Sequence, residues 1–169
     1  MMSKPDSVRV IPTETYFELI RQSLSDNGQA YVRVTGSSMM PLLHHLRDGV
    51  ILVPPKRIKL GDIVLFDRKN GRYALHRVIF KGKNGFVMAG DHQWHLERNL
   101  PYSQILGVAD AIERNGKRIS RNYFFLQIYA LMVTGLAFPR IYIWKGVKKL
   151  ARPFRHQQPN PGKERANED

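Results

Sequence analysis

Between residues 30 and 119 the apolar residues come in short runs, and pairs of turn formers cut the runs off. Residues 31–34, 50–53, 63–66, 73–80, 86–88 and 105–112 read as strands, separated by Asp48-Gly49, Pro54-Pro55, Asn70-Gly71 and Asn84-Gly85. Pro has no N–H to give to a helix, and Gly and Asn favour the left-handed backbone, so this stretch is set up to turn and not to coil. Asn-Gly suits a type I′ turn, and hairpins are expected at Asn70-Gly71, Asn84-Gly85 and Asn115-Gly116. The expected fold is mainly β: a compact, mostly antiparallel domain over residues 30–120, with no repeat of fixed period.

Helical periodicity flanks this domain on both sides. Thr15-Tyr16-Phe17-Glu18 has the form of a capping box, Tyr16, Ile20 and Leu24 follow at helical spacing, and Asn27-Gly28 is a stop. An amphipathic helix at about residues 14–26 is expected to pack on the β-domain. No second helix stands beside it to make a helix-turn-helix, which argues against a DNA reader. The first ten residues lack an apolar core ahead of a cleavage site and do not read as a secretory signal.

Behind the β-domain, residues 123–138 are an apolar run closed by Pro139-Arg140, shorter than the roughly 20 residues that span a bilayer. Basic residues flank it on both sides. Ile143, Val147, Leu150 and Phe154 then recur at helical spacing, with Lys145, Lys148, Lys149 and Arg152 between them and Trp144 as an interfacial residue. That is the pattern of a segment lying on an anionic membrane surface; the competing reading is a helical hairpin packed on the β-domain. Residues 157–169, rich in Pro, Asn and charge, read as disordered. The chain divides into an arm and helix (1–29), a β-domain (30–120), an apolar and basic helical segment (121–156) and a tail (157–169).

Charge supports this division. The 169-residue chain carries a formal net charge of +13, yet residues 1–113 hold 15 Lys/Arg against 11 Asp/Glu and residues 114–169 hold 12 against 3. The excess lies behind the β-domain and calls for an anionic partner, a membrane surface being favoured over nucleic acid. The absence of Cys excludes disulfides, thiolate metal sites and a cysteine nucleophile. Among nucleophiles, Ser is left.

A serine hydroxyl attacks at neutral pH only with a proton acceptor in reach and a third group to orient that acceptor. Gly36-Ser37-Ser38-Met39-Met40-Pro41, Leu75-His76-Arg77-Val78-Ile79 and Gly90-Asp91 supply, in order, a nucleophile, a base and an acid. Ser38 is expected just after a strand, where its own backbone amide and those of Met39 and Met40 point at a developing oxyanion. His76 is expected inside a strand, sharing a face with Ala74 and Val78. Asp91 is the expected acid, with Asp62 and Asp110 as rivals. Ser37, Met39 and Met40 are the candidate oxyanion and substrate-binding residues, Met39 and Met40 being suited to line a pocket for small side chains. His44-His45 and the group His92, His95 and Glu97 lack a third firm ligand at metal spacing, so no metal and no cofactor is expected.

These boxes resemble those of type I signal peptidases and of the LexA-type self-cleaving repressors, which share one β-rich serine-protease fold. Val34-Thr35-Gly36-Ser37-Ser38-Met39-Met40-Pro41-Leu42 is similar to the nucleophile box, and Gly61-Asp62-Ile63-Val64-Leu65-Phe66 to the strand after it. Leu75-His76-Arg77-Val78-Ile79 resembles the base-bearing strand of the endoplasmic-reticulum and archaeal signal peptidases, where His replaces the bacterial Lys, and Met88-Ala89-Gly90-Asp91-His92 resembles the box that follows. The resemblance covers residues 32–119 and implies a membrane-associated serine endopeptidase acting on a precursor or leader peptide. The chain departs from it in two places. Gly36 stands where bacterial signal peptidases carry an oxyanion-binding Ser, and the leading membrane anchor usual in them is not found. A non-catalytic peptide- or membrane-binding module, and a cytoplasmic LexA-like self-processing regulator, are the alternatives; the only Ala-Gly is Ala89-Gly90, inside the acid box, which weakens the second.

Overall fold

A computed structural model describes residues 12–69 and 72–150. Helix α1 (Thr13–Asn27) begins two residues before the expected capping box, with Pro12 at its N-cap and no side-chain cap, so Thr15 lies inside the helix. It stops where Gly28 takes up the left-handed conformation at φ 68°, the ending that a residue without Cβ makes cheapest. Ile20 and Leu24 are its buried residues and join the core.

Eight strands follow: β1 (Ala30–Arg33), β2 (Asp48–Val53), β3 (Ile63–Asp67), β4 (Tyr73–Gly82), β5 (Gly85–Ala89), β6 (Glu97–Leu100), β7 (Ile105–Arg114) and β8 (Lys117–Ser120). All pairings are antiparallel, in the order β1-β2-β7-β3-β4-β5-β6, with β8 against β7. The chain is mainly antiparallel β with a helix at each end. Long strand β7 holds the sheet together, giving one edge to β2 and sharing the other between β3 and β8. Side-chain alternation then builds two apolar clusters, one with Val50, Leu52, Leu65 and the buried residues of α1, the other with Val64, Phe66, Val78 and Met88.

Two turns show how local chemistry sets the register. Asn115 and Gly116 have φ 52° and 72°, and Arg114 pairs with Lys117, as a two-residue turn with both central residues at positive φ requires. At the next expected hairpin the turn shifts by one residue: Gly82 pairs with Gly85, so Lys83-Asn84 is the tip and Gly85 begins β5 at φ 114°. Asn70-Gly71, expected to link β3 and β4, lies outside the described residues. Strands β6 and β8 had no apolar run to announce them.

The C-terminal segment departs further from expectation. It is one helix, α2 (Phe124–Leu150), which continues through Pro139 where the sequence suggested a stop, so there is no helical hairpin. Proline removes one backbone bond and presses on the carbonyl four residues back, which here belongs to Gly135. Small residues let α2 lie close to the sheet: a Cβ at Gly61 would be 3.4 Å from Ala130 Cβ, and Ala137 packs with Ile79 and Ala89. No helix among the described residues is long and apolar enough to cross a membrane. The side chains of Trp144, Lys145, Lys148 and Lys149, and all of Arg152, Phe154 and residues 157–169, lie outside the described residues.

Candidate active site

After β1 the chain bends at Gly36, whose φ of 98° favours a residue without Cβ even though the space around it is open. Its N–H donates to His45 Nδ1 at 2.9 Å, tying the bend to the loop before β2. Met39 and Leu43, 2% and 0% exposed, root the turn in the core, and Leu43 N–H donates to the Met39 carbonyl at 2.9 Å. Ser38 is left half-buried at the rim.

The opposite wall comes from the turn after β5. His92 N–H donates to the Ser38 carbonyl at 2.9 Å. This approach needs a glycine: a Cβ at Gly90 would stand 2.5 Å from the Ser38 carbonyl oxygen and 3.1 Å from the Gln93 amide carbon. The Gly-Asp box therefore positions the serine turn through its backbone.

His76 is on β4, 1% exposed, with its ring 5.7 Å from that of Phe66. Its Nδ1 lies 2.9 Å from Glu97 Oε1. Arg68 Nε donates to Glu97 Oε2 at 3.0 Å, and its Nη2 donates to Oε1. Burial works to raise the Glu97 carboxyl, but the contacts with His76 and Arg68 outweigh it and hold the group down at about 2. Glu97 is a fixed negative charge beside the imidazole.

Ser38 and His76 line one cavity of about 460 Å³, together with Thr35, Ser37, Met39 and Gln93. Gln93 Oε1 is buried without a hydrogen-bond partner. The cavity also runs along two strand segments, Val32–Arg33 of β1 and Tyr73–His76 of β4. β1 pairs only with β2, and these β4 residues pair with β3 alone, since β5 joins β4 from Arg77 onward. Two strand edges that no described strand covers thus border the same space.

Two expected roles change. Asp91 does not face His76: its carboxylate takes Arg77 Nε and Nη2 at 2.8 and 2.7 Å, both side chains being buried. The reason is strand alternation, because Arg77 follows His76 and points to the other face. There Arg77 Nη1 also donates to the Gly61 carbonyl at 2.7 Å, and Tyr129 of α2 bonds to Asp91. Burial first, and then the Asp91 charge, push the Tyr129 phenol above its ordinary range. Met40 is the second correction: its N–H donates to the Ser37 carbonyl at 3.2 Å and it does not line the cavity, unlike Ser37 and Met39. The rival acids are engaged elsewhere, Asp62 by Lys59 N–H and Asp110 by Arg118.

Glu97 is the residue that sequence reasoning passed over, having grouped it with His92 and His95 as a poor metal site. Its placement is a cross-strand effect: Val78, Met88 and Glu97 stand side by side across β4, β5 and β6, and two residues back along β4, on the same face as Val78, stands His76, beyond the end of β5 at Ala89. The chain matches no protein-family model and no curated protein sequence.

Proposed function

We propose that the protein is a serine endopeptidase of signal-peptidase type that cleaves a precursor or leader peptide. One observation carries the reading: Ser38 and a deeply buried His76 share a cavity, and His76 Nδ1 faces an ionised Glu97. With Nδ1 turned to Glu97, Nε2 is the atom left to accept the Ser38 proton. Ser38 Oγ attacks the scissile carbonyl, His76 takes its proton and passes it to the leaving amine, and Glu97 stabilises the imidazolium between the two transfers. Water, activated by the same imidazole, then hydrolyses the acyl-enzyme.

Gly36 supplies no hydroxyl for the oxyanion and Met40 N–H is occupied, so the donors reduce to the Ser38 and Met39 N–H groups and one side chain. Gln93 fills that place: its amide lies beside the Ser38 turn with Oε1 unpaired, and turning the amide over presents its NH₂ to the cavity. An extended substrate pairs with the open edges of β1 and β4, main-chain bonds supplying affinity and the cavity selecting the side chain before the cut. Ala89-Gly90, the one candidate for self-cleavage, sits at a strand end with Ala89 1% exposed, which supports cleavage of a separate substrate.

The test is incubation of the full chain with exported precursors and with peptides carrying small residues before the cut, compared with Ser38→Ala. Cleavage by the wild type and none by the variant is expected. Cleavage that persists in Ser38→Ala overturns the nucleophile assignment, and a wild type that cuts nothing overturns the enzyme reading.

A further inference from the structure

Helix α2 carries large apolar residues on both of its faces. Toward the β-domain it presents Leu126, Ala130, Thr134, Ala137 and Phe138, while more of its large apolar residues face away: Phe124 is 67% exposed, Phe125 66%, Leu131 76%, Met132 58%, Leu136 58% and Ile143 67%. At 100° per residue these positions fall on one stripe along the helix. A helix whose only task is to close a core buries its large residues, and an exposed apolar strip of this length marks a surface that meets something apolar.

Charge selects the occupant. Arg118 and Arg121 precede the helix, the former 53% exposed in its side chain, and the sequence places Lys145, Lys148 and Lys149 in its last two turns. Residues 114–169 carry four times as many basic as acidic residues. A second copy would bring the same sign of charge to the same helix, whereas anionic lipid headgroups neutralise it while the acyl region takes the Phe and Leu side chains. Since α2 lacks the apolar length to cross a bilayer, it would lie in the plane of the interface.

We propose that the outward stripe of α2 is a docking surface for an anionic lipid bilayer. Through its other face the helix grips the catalytic loop, because Arg140 donates to the Asp91 and Gln93 carbonyls at 2.6 and 3.0 Å. Docking therefore fixes the cavity at a set height above the lipid surface.

The experiment is flotation of the full chain with phosphatidylcholine vesicles, with and without phosphatidylglycerol, at low and high salt, beside the double variant Leu131→Glu/Leu136→Glu. Both residues are exposed, so the variant should keep the wild-type melting temperature. The wild type should float with phosphatidylglycerol vesicles, less so in high salt, and the double variant should lose about tenfold or more in partition. No flotation with anionic vesicles, or equal flotation of the variant, overturns the proposal. So does a wild-type dimer that the variant converts to monomer without any vesicle binding, which would assign the stripe to a second copy. Flotation reads no cleavage, so its outcome is independent of whether the protein is a peptidase.

Discussion

Arg140 Nη1 donates to the main-chain carbonyl of Asp91 at 2.6 Å, so a helix outside the β-domain holds the loop that in turn holds Ser38. The chain of contacts is short: the Arg140 guanidinium, the carbonyls of Asp91 and Gln93, the His92 N–H, the Ser38 carbonyl. Its two ends are hydrogen bonds, and the Asp91–His92 peptide unit joins them covalently. A displacement of the loop is therefore passed to Ser38.

Arg140→Ala should lower kcat by about tenfold with little change in KM, since a small misplacement of the serine turn affects the transition state more than substrate pairing along the strand edges. Arg140→Lys should recover only part of the loss, because one ammonium cannot serve diverging carbonyls as a guanidinium does. Steady-state kinetics on any cleaved peptide check this. An unchanged kcat for Arg140→Ala overturns the coupling.

Ser38→Ala and His76→Ala should each abolish turnover, and the double variant should be no worse than either, because groups acting as a unit are not additive in their losses. Glu97→Gln should retain the fold and lose about a hundredfold to ten-thousandfold in kcat, having removed the charge that faces Nδ1. Full activity in Glu97→Gln would remove Glu97 from the mechanism.

Asp91→Ala should act on stability, in contrast to Glu97. It leaves the Arg77 guanidinium, 2% exposed, buried without its carboxylate, at a cost of about 3–5 kcal/mol. A large drop in melting temperature is expected. A variant that melts like the wild type but cleaves a hundredfold more slowly would return Asp91 to the catalytic acid role.

Gln93→Ala should lower kcat by about a hundredfold while leaving KM and melting temperature near the wild-type values, the signature of one lost oxyanion donor. Gln93→Glu, which places a negative charge where the oxyanion forms, should be worse than alanine. Equal rates for wild type and Gln93→Ala would leave the Ser38 N–H without that partner.

Acid should unfold the protein through two carboxylates. Glu97 is held at about 2 against an ordinary 4.5. Asp48 is held well below its ordinary value, burial opposing but the hydrogen bonds from Arg47, Arg114 and the His44 N–H prevailing. Because both values are lowered in the folded state, their contribution is full above the ordinary carboxylate range and is lost as pH falls through the folded values. The melting temperature should therefore decline from about pH 4.5 toward pH 2, and Glu97→Gln should make that decline shallower. A flat profile for the wild type in this window contradicts the ion pairs.

The strands with apolar runs were legible from period and punctuation, because side-chain alternation is a local property of the chain. So were the turn at Gly36 and Ser38 after β1 and the place of His76 inside β4, since both depend on the local chain. Glu97 was not legible. It sits on a polar edge strand, β6, and reaches His76 only through the register of β4, β5 and β6, which no single segment encodes. Asp91 was misread for the complementary reason: one residue of strand alternation sends its partner Arg77 to the face away from His76. The continuity of α2 through Pro139 depends on what surrounds the helix, and the short-range rule that proline ends helices had no access to that.

The open edges of β1 and β4 carry a consequence for the conformation of whatever is cut. A chain can pair with both only when extended over several residues, and a precursor whose leader is helical must first unwind there, giving up one backbone bond per residue released. Unwinding an Ala-rich turn costs more than unwinding one that already holds Gly or Pro, by about 1 kcal/mol for each Gly and about 3 kcal/mol for each Pro. Among leaders with the same residues at the cut, the order of cleavage should then follow their helix-forming tendency in reverse. A peptidase acting at these edges would discriminate by the secondary structure its substrate has to abandon.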